Sequence, residues 1–168
     1  MKSKLKLKLQ FANAGLVAAL SVAGSAVAQT LAKEGNYDIT NCWSGTSSVI
    51  QFSKSHSVSI NDLVGNSRSN PPGGAFDMSA FRCVTLGTMI DGKASGSYYC
   101  EAIDKDGDKF LVRGTNEGPK GKLEAIAGTG KYEGMVRTGT SESLGVFPPI
   151  KPGAFTSCNR QTGAYKLK

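Results

Sequence analysis

Cys83 and Cys100 stand at equal distances from the dipeptide Asp91-Gly92. Asp-Gly between two β-rich runs is a favoured two-residue type I′ hairpin loop, because both central residues need positive φ. With that loop, opposed residues on the flanking strands have numbers summing to 183, which sets Cys83 against Cys100 and Arg82 against Glu101. Counted outward from Ile90 and Lys93, the cysteines fall on a non-hydrogen-bonded pair, where Cα atoms are about 4.5 Å apart and a disulfide can form. A long hairpin stapled across its middle restricts the chain to antiparallel β architectures.

The rest of the chain agrees. From Tyr37 onward, short β-branched and aromatic runs alternate with Gly, Asn, Asp, Ser and Pro, and helical periodicity is never sustained. Strands are expected near Tyr37 to Ser44, Val49 to Ile60, Phe76 to Ile90, Lys93 to Lys105, Asp108 to Arg113, Lys122 to Ala127, Met135 to Ser143 and Ala164 to Leu167. Eight strands in about 130 residues fit one all-β domain, a small closed antiparallel β-barrel, with a two-sheet sandwich as the alternative. Two Pro/Gly-rich stretches, Asn66 to Gly74 and Gly145 to Gly153, read as loops that cap a barrel mouth.

The four cysteines pair only in an oxidising compartment, and the N-terminus supplies the route there. Lys2, Lys4, Lys6 and Lys8 precede an apolar run from Phe11 to Ala23, and Ala26-Val27-Ala28 closes it, the order of a secretory signal. Residues 1–28 are therefore expected to be a signal peptide and 29–168 the barrel domain, periplasmic or secreted, with no membrane insertion once the signal is removed. With Cys83 on Cys100, elimination pairs Cys42 with Cys158. Zinc is not expected, because no C-x-x-C pair occurs and His56 is the single histidine. Asp104-Lys105-Asp106-Gly107-Asp108 lacks the glycine and glutamate positions of an EF-hand loop and reads as a hairpin turn, so no metal or cofactor is expected. The four leading lysines also account for most of the net charge of +7; removing them leaves 16 cations against 13 carboxylates, too few to mark a nucleic-acid binder.

Strand parity assigns faces. If Asp106-Gly107 is a second two-residue loop, Arg82, Val84, Leu86, Tyr99, Glu101, Ile103, Phe110 and Val112 share one face, and Cys83, Tyr98, Cys100, Leu111 and Arg113 the other. The first set is the more apolar and is expected to face inward, placing Arg82, Tyr99 and Glu101 among aliphatics as the polar part of a ligand site. Trp43 shares a face with Tyr37, Ile39 and Asn41, as a core residue and a stacking surface. His56 reads as a packed or solvated side chain.

The segment Gly128-Thr129-Gly130-Lys131-Tyr132-Glu133-Gly134, followed by Gly139-Thr140, resembles the glycine-rich segment of the allene oxide cyclase and dirigent barrels. The C-terminal stretches Phe147 to Gly153 and Cys158 to Lys168 resemble a group of small exported proteobacterial proteins. The first resemblance implies the barrel fold, and its relatives include a lipid-epoxide cyclase and proteins that guide phenoxyl-radical coupling. The primary expectation is non-catalytic binding of a small, partly apolar ligand or an envelope partner. A cofactor-independent cyclase or isomerase using Arg82, Tyr99 and Glu101 is the second, and a solidly filled structural or inhibitory barrel the third. A cavity of roughly several hundred Å³ favours the first two.

Overall fold

A computed structural model describes residues 31–149 and 151–168 of the chain. The proposed signal peptide and its cleavage point lie outside the described residues. Eight strands form a closed antiparallel meander, β1 (Glu34–Gln51), β2 (His56–Ser69), β3 (Ala80–Ile90), β4 (Lys93–Ile103), β5 (Lys109–Glu117), β6 (Lys120–Gly128), β7 (Val136–Phe147) and β8 (Ala154–Lys166). Each strand pairs with its sequence neighbour, and β1 pairs with β8 to close the ring. Closure removes both sheet edges, so the sandwich alternative is excluded.

The Asp91-Gly92 turn has the expected form, with φ of 49° and 76°. Arg82 lies opposite Glu101 and Cys83 opposite Cys100, and the disulfide joins Cα atoms 4.0 Å apart. Cys42 and Cys158 are also directly opposed, on the β1/β8 seam, and form the second disulfide with Cα atoms 4.2 Å apart. No free cysteine remains among the described residues.

The second Asp-Gly pair behaves differently. Asp104 Oδ1 accepts the N–H groups of Asp106 and Asp108 at 2.9 and 3.1 Å, and its own N–H donates to the Asp108 carbonyl at 3.0 Å. This side-chain turn takes five residues and sets Ile103 against Lys109, one residue away from the register of a two-residue loop. A shift of one reverses every side chain of β5. Phe110 and Val112 consequently face inward with Cys100, whereas Leu111 and Arg113 face out.

Other strand limits also differ from expectation. β1 runs unbroken through Gly45-Thr46-Ser47-Ser48, and the chain reverses at Phe52–Ser55 instead. A Cβ at Gly45 would press on Asp62 and Leu63 of β2, so this glycine serves close strand approach and not a turn. β3 starts at Ala80, leaving Phe76 in a loop, and β8 starts ten residues earlier than its apolar residues suggest. Asn66 to Ser69 belong to β2, and β7 continues to Phe147 through an irregularity at Ser143/Gly145, so neither proline-rich stretch is wholly a loop.

One end of the barrel is filled. The loop between β2 and β3 carries Phe76 into the interior, where its ring centroid lies 5.3 Å from those of Tyr37, Phe110 and Tyr165. Tyr132, in the 3₁₀ turn η1 (Gly130–Tyr132), packs edge-on against Phe110 with ring centroids 4.9 Å apart, and Met135 completes the plug. The glycine-rich segment thus builds a barrel floor. Gly128 has no room for a Cβ against the Tyr132 backbone, and Gly130 needs φ of 54° beside the Asp108 carboxylate.

Candidate ligand cavity

Above the aromatic plug the interior is hollow. The cavity is about 110 Å³ and is lined by apolar side chains from β1 to β5, among them Ile39, Trp43, Leu63, Phe81 and Val112, together with the Cys83–Cys100 disulfide. Its polar lining consists of Asn41, Ser67, Thr85, Asn116, Asn159, Gln161 and Arg137. Odd-numbered inward positions on β1, β2, β7 and β8 supply most of these groups.

The polar groups form two short chains. Ser67 Oγ donates to Asn41 Oδ1, and Asn41 Nδ2 donates to Asn159 Oδ1 at 3.0 Å. Arg137 Nη2 donates to Gln161 Oε1 at 3.1 Å. Arg137 sits at the boundary between plug and cavity, only 3% exposed, with its guanidinium carbon 4.4 and 4.3 Å from the ring centroids of Tyr37 and Phe76. Burial pushes its pKa down, with Tyr37 the next contributor and opposing that shift. The rings offset part of the desolvation of a buried cation, which otherwise costs on the order of several kcal/mol. Arg137 Nε and the Tyr98 hydroxyl, both buried, have no hydrogen-bond partner. Burial also raises the Tyr98 pKa, so at neutral pH the phenol remains protonated.

Trp43 stands where parity puts it, inward and half-buried in the cavity wall. Arg82, Tyr99 and Glu101 do not line the interior. They lie on the outer surface, with side chains of Arg82 and Glu101 66% and 60% exposed and Tyr99 47% exposed. Arg82 binds Asp62 through two hydrogen bonds of 3.0 and 2.8 Å, and Glu101 accepts from Lys109 Nζ at 3.1 Å, so the two opposed residues each choose another partner. The reversal follows from β5: with Phe110 and Val112 assigned to the wrong set, the outer face counts as the more apolar one. Val84, Leu86 and Ile103 remain on that outer face, exposed. His56 is at the opposite rim from the plug, its Nδ1 2.9 Å from Ser53 Oγ and its Nε2 3.7 Å from Asp91.

A second polar cluster lies under the plug. Lys131 Nζ reaches Asp104 and Asp106, both at 2.6 Å, and bridges the two carboxylates. Tyr132 donates to Asp104 Oδ2 at 3.0 Å. Burial raises the Asp104 pKa, but hydrogen bonds from Lys131, Tyr132 and the Asp106 N–H outweigh it and hold the carboxyl below its ordinary value of 3.8. No group of metal-binding side chains occurs among the described residues.

No family model and no curated protein matches this chain. Among solved structures, that of a pterocarpan synthase dirigent protein is similar at 10% identity and a TM-score of 0.47, covering 81% of this chain and 93% of its own.

Proposed function

We propose that the protein is an exported carrier or sensor barrel that binds a small, partly apolar molecule in its interior without transforming it. The observation that carries this reading is a polar-edged cavity retained above a fully packed floor. A barrel selected only for stability gains by filling such a void, since each missing contact costs energy. At about 110 Å³ the cavity is smaller than several hundred Å³, so the occupant is the size of one ring or a short chain. Its lining has no carboxylate and no imidazole, which favours binding over the general acid–base chemistry of a cyclase.

Export rests on the N-terminal pattern, and the two disulfides support it. No helix among the described residues is long and apolar enough to cross a membrane. Native mass spectrometry of protein purified from its own exported fraction tests both parts. The expected spectrum shows a chain beginning at Gln29 that carries an additional small mass, lost on denaturation. A bare chain would sink the binding reading, and an intact residue 1–28 segment the export reading.

A further inference from the structure

The polar lining of the cavity is biased toward donors. Arginine has only N–H groups to offer, so Gln161 must turn its carbonyl to Arg137 and leave its amide N–H groups free. Asn159 likewise spends its carbonyl oxygen on Asn41, leaving its own NH₂ without an acceptor. Two residues apart on β8, these amides border the same space as the guanidinium. Among the described residues, no carboxylate lies within ion-pair distance of Arg137, although every other arginine of the barrel has one. A buried cation ringed by donors and π faces lacks one component, a negative charge.

Resting on the ligand-binding reading, we propose that the cavity takes a small organic carboxylate. Its head group meets Arg137 and the free amides of Gln161 and Asn159, and its flat apolar body lies against Trp43, Leu63 and the Cys83–Cys100 disulfide. A carboxylate fits better than a phosphate because Arg137 is the single cation in the lining and matches a single charge. Cavity size sets the length. The cavity, about 110 Å³, is smaller than the void of about 150 Å³ that encloses a benzene ring, so an aromatic acid of one ring has its head group enclosed and its ring extending towards the open end.

Benzoate and cinnamate, each against its neutral amide, test the inference on the oxidised, ligand-stripped protein by calorimetry and thermal shift. The acids are expected to bind at least tenfold more tightly than the amides. Arg137→Gln removes this preference. Because that substitution also disturbs the aromatic plug, Gln161→Glu provides an independent arm: it places a carboxylate beside the guanidinium, raises the melting temperature and abolishes binding of the acids. Amides that bind the wild type as well as the acids overturn the anion inference while leaving a ligand site. Failure of both series overturns the ligand-binding reading as well, and assigns Arg137 to the packing of the floor.

Discussion

Below Arg137 the barrel is filled by aromatic rings, and above it apolar and short polar side chains leave a cavity, although the same strands wall both regions. The lower half receives three side chains from outside the sheet, Phe76 from the β2–β3 loop, Tyr132 from η1 and Met135 from the residues just before β7. The upper half receives none from the turns above it. The inward residues of the upper half, apolar ones such as Leu63 and Val112 beside Asn41, Ser67 and Asn159, do not fill it on their own, so loops determine which end is solid.

Phe76→Ala breaks the contrast most directly. It removes a ring that touches Tyr37, Phe110, Tyr132 and Tyr165 and should cost about 3–5 kcal/mol in denaturant unfolding. Leu63→Ala, which faces the cavity, should cost about 2 kcal/mol, because a side chain beside a void has fewer contacts to lose. Equal losses at the two positions would show the upper half to be as tightly packed as the lower.

Acid should loosen the floor first. Asp104 and Asp77 both titrate below their ordinary 3.8. For Asp77, burial acts upward, and the N–H groups of Ser69 and Gly73 together with Arg68 outweigh it. A carboxyl with a depressed folded pKa stabilises the native state above its unfolded pKa and loses that contribution as pH falls through the folded value. Hydrogen exchange should therefore accelerate below about pH 4 in residues 70–79 and 129–135 before it does so in β3 and β4. Simultaneous loss of protection throughout would remove the distinction between the regions.

The smallest effect belongs to the outer wall. In a double-mutant cycle on Arg82→Met and Glu101→Leu, coupling should fall within the scatter of repeated melting scans, since Arg82 holds Asp62 and Glu101 holds Lys109 in solvent. Strong coupling would return the pair to the interior and invert the site.

How much of this could be read beforehand depended on whether local chemistry was decisive. Asp91-Gly92 has neighbours that offer no competing acceptor, and its register places Cys83 on Cys100 without further information. Asp106-Gly107 looks identical, yet Asp104 two residues earlier captures two backbone N–H groups and lengthens the turn. That one carboxylate displaced the face assignment of β5, and with it Arg82, Tyr99 and Glu101. The polar strand Ser157 to Gln161 escaped for another reason, since inward residues that line a cavity break the apolar alternation by which strands are recognised. Arg137 carried one usable signal, its place on the parity of Gly139 and Ser141, whose small side chains mark the face turned inward.

The Cys42–Cys158 bond lies on the seam where the first and last strands meet, and 116 residues of sequence separate its two ends. Under tension applied at the termini, the load passes from the early part of β1 straight through the sulfur bridge to the end of β8. Strands β2 to β7 and the plug residues Phe76, Phe110 and Tyr132 are mechanically shielded, whereas Tyr37, Ile39, Asn41, Asn159, Gln161 and Tyr165 sit on the loaded ends of β1 and β8. An oxidised molecule stretched by its ends would lengthen only by the short tails outside the bridge, and a reducing agent would release roughly 400 Å of hidden contour in addition. Pulling thus unzips only the part of the β1/β8 seam outside the bridge, and the rest of the wall around an occupant stays closed until the disulfide is reduced.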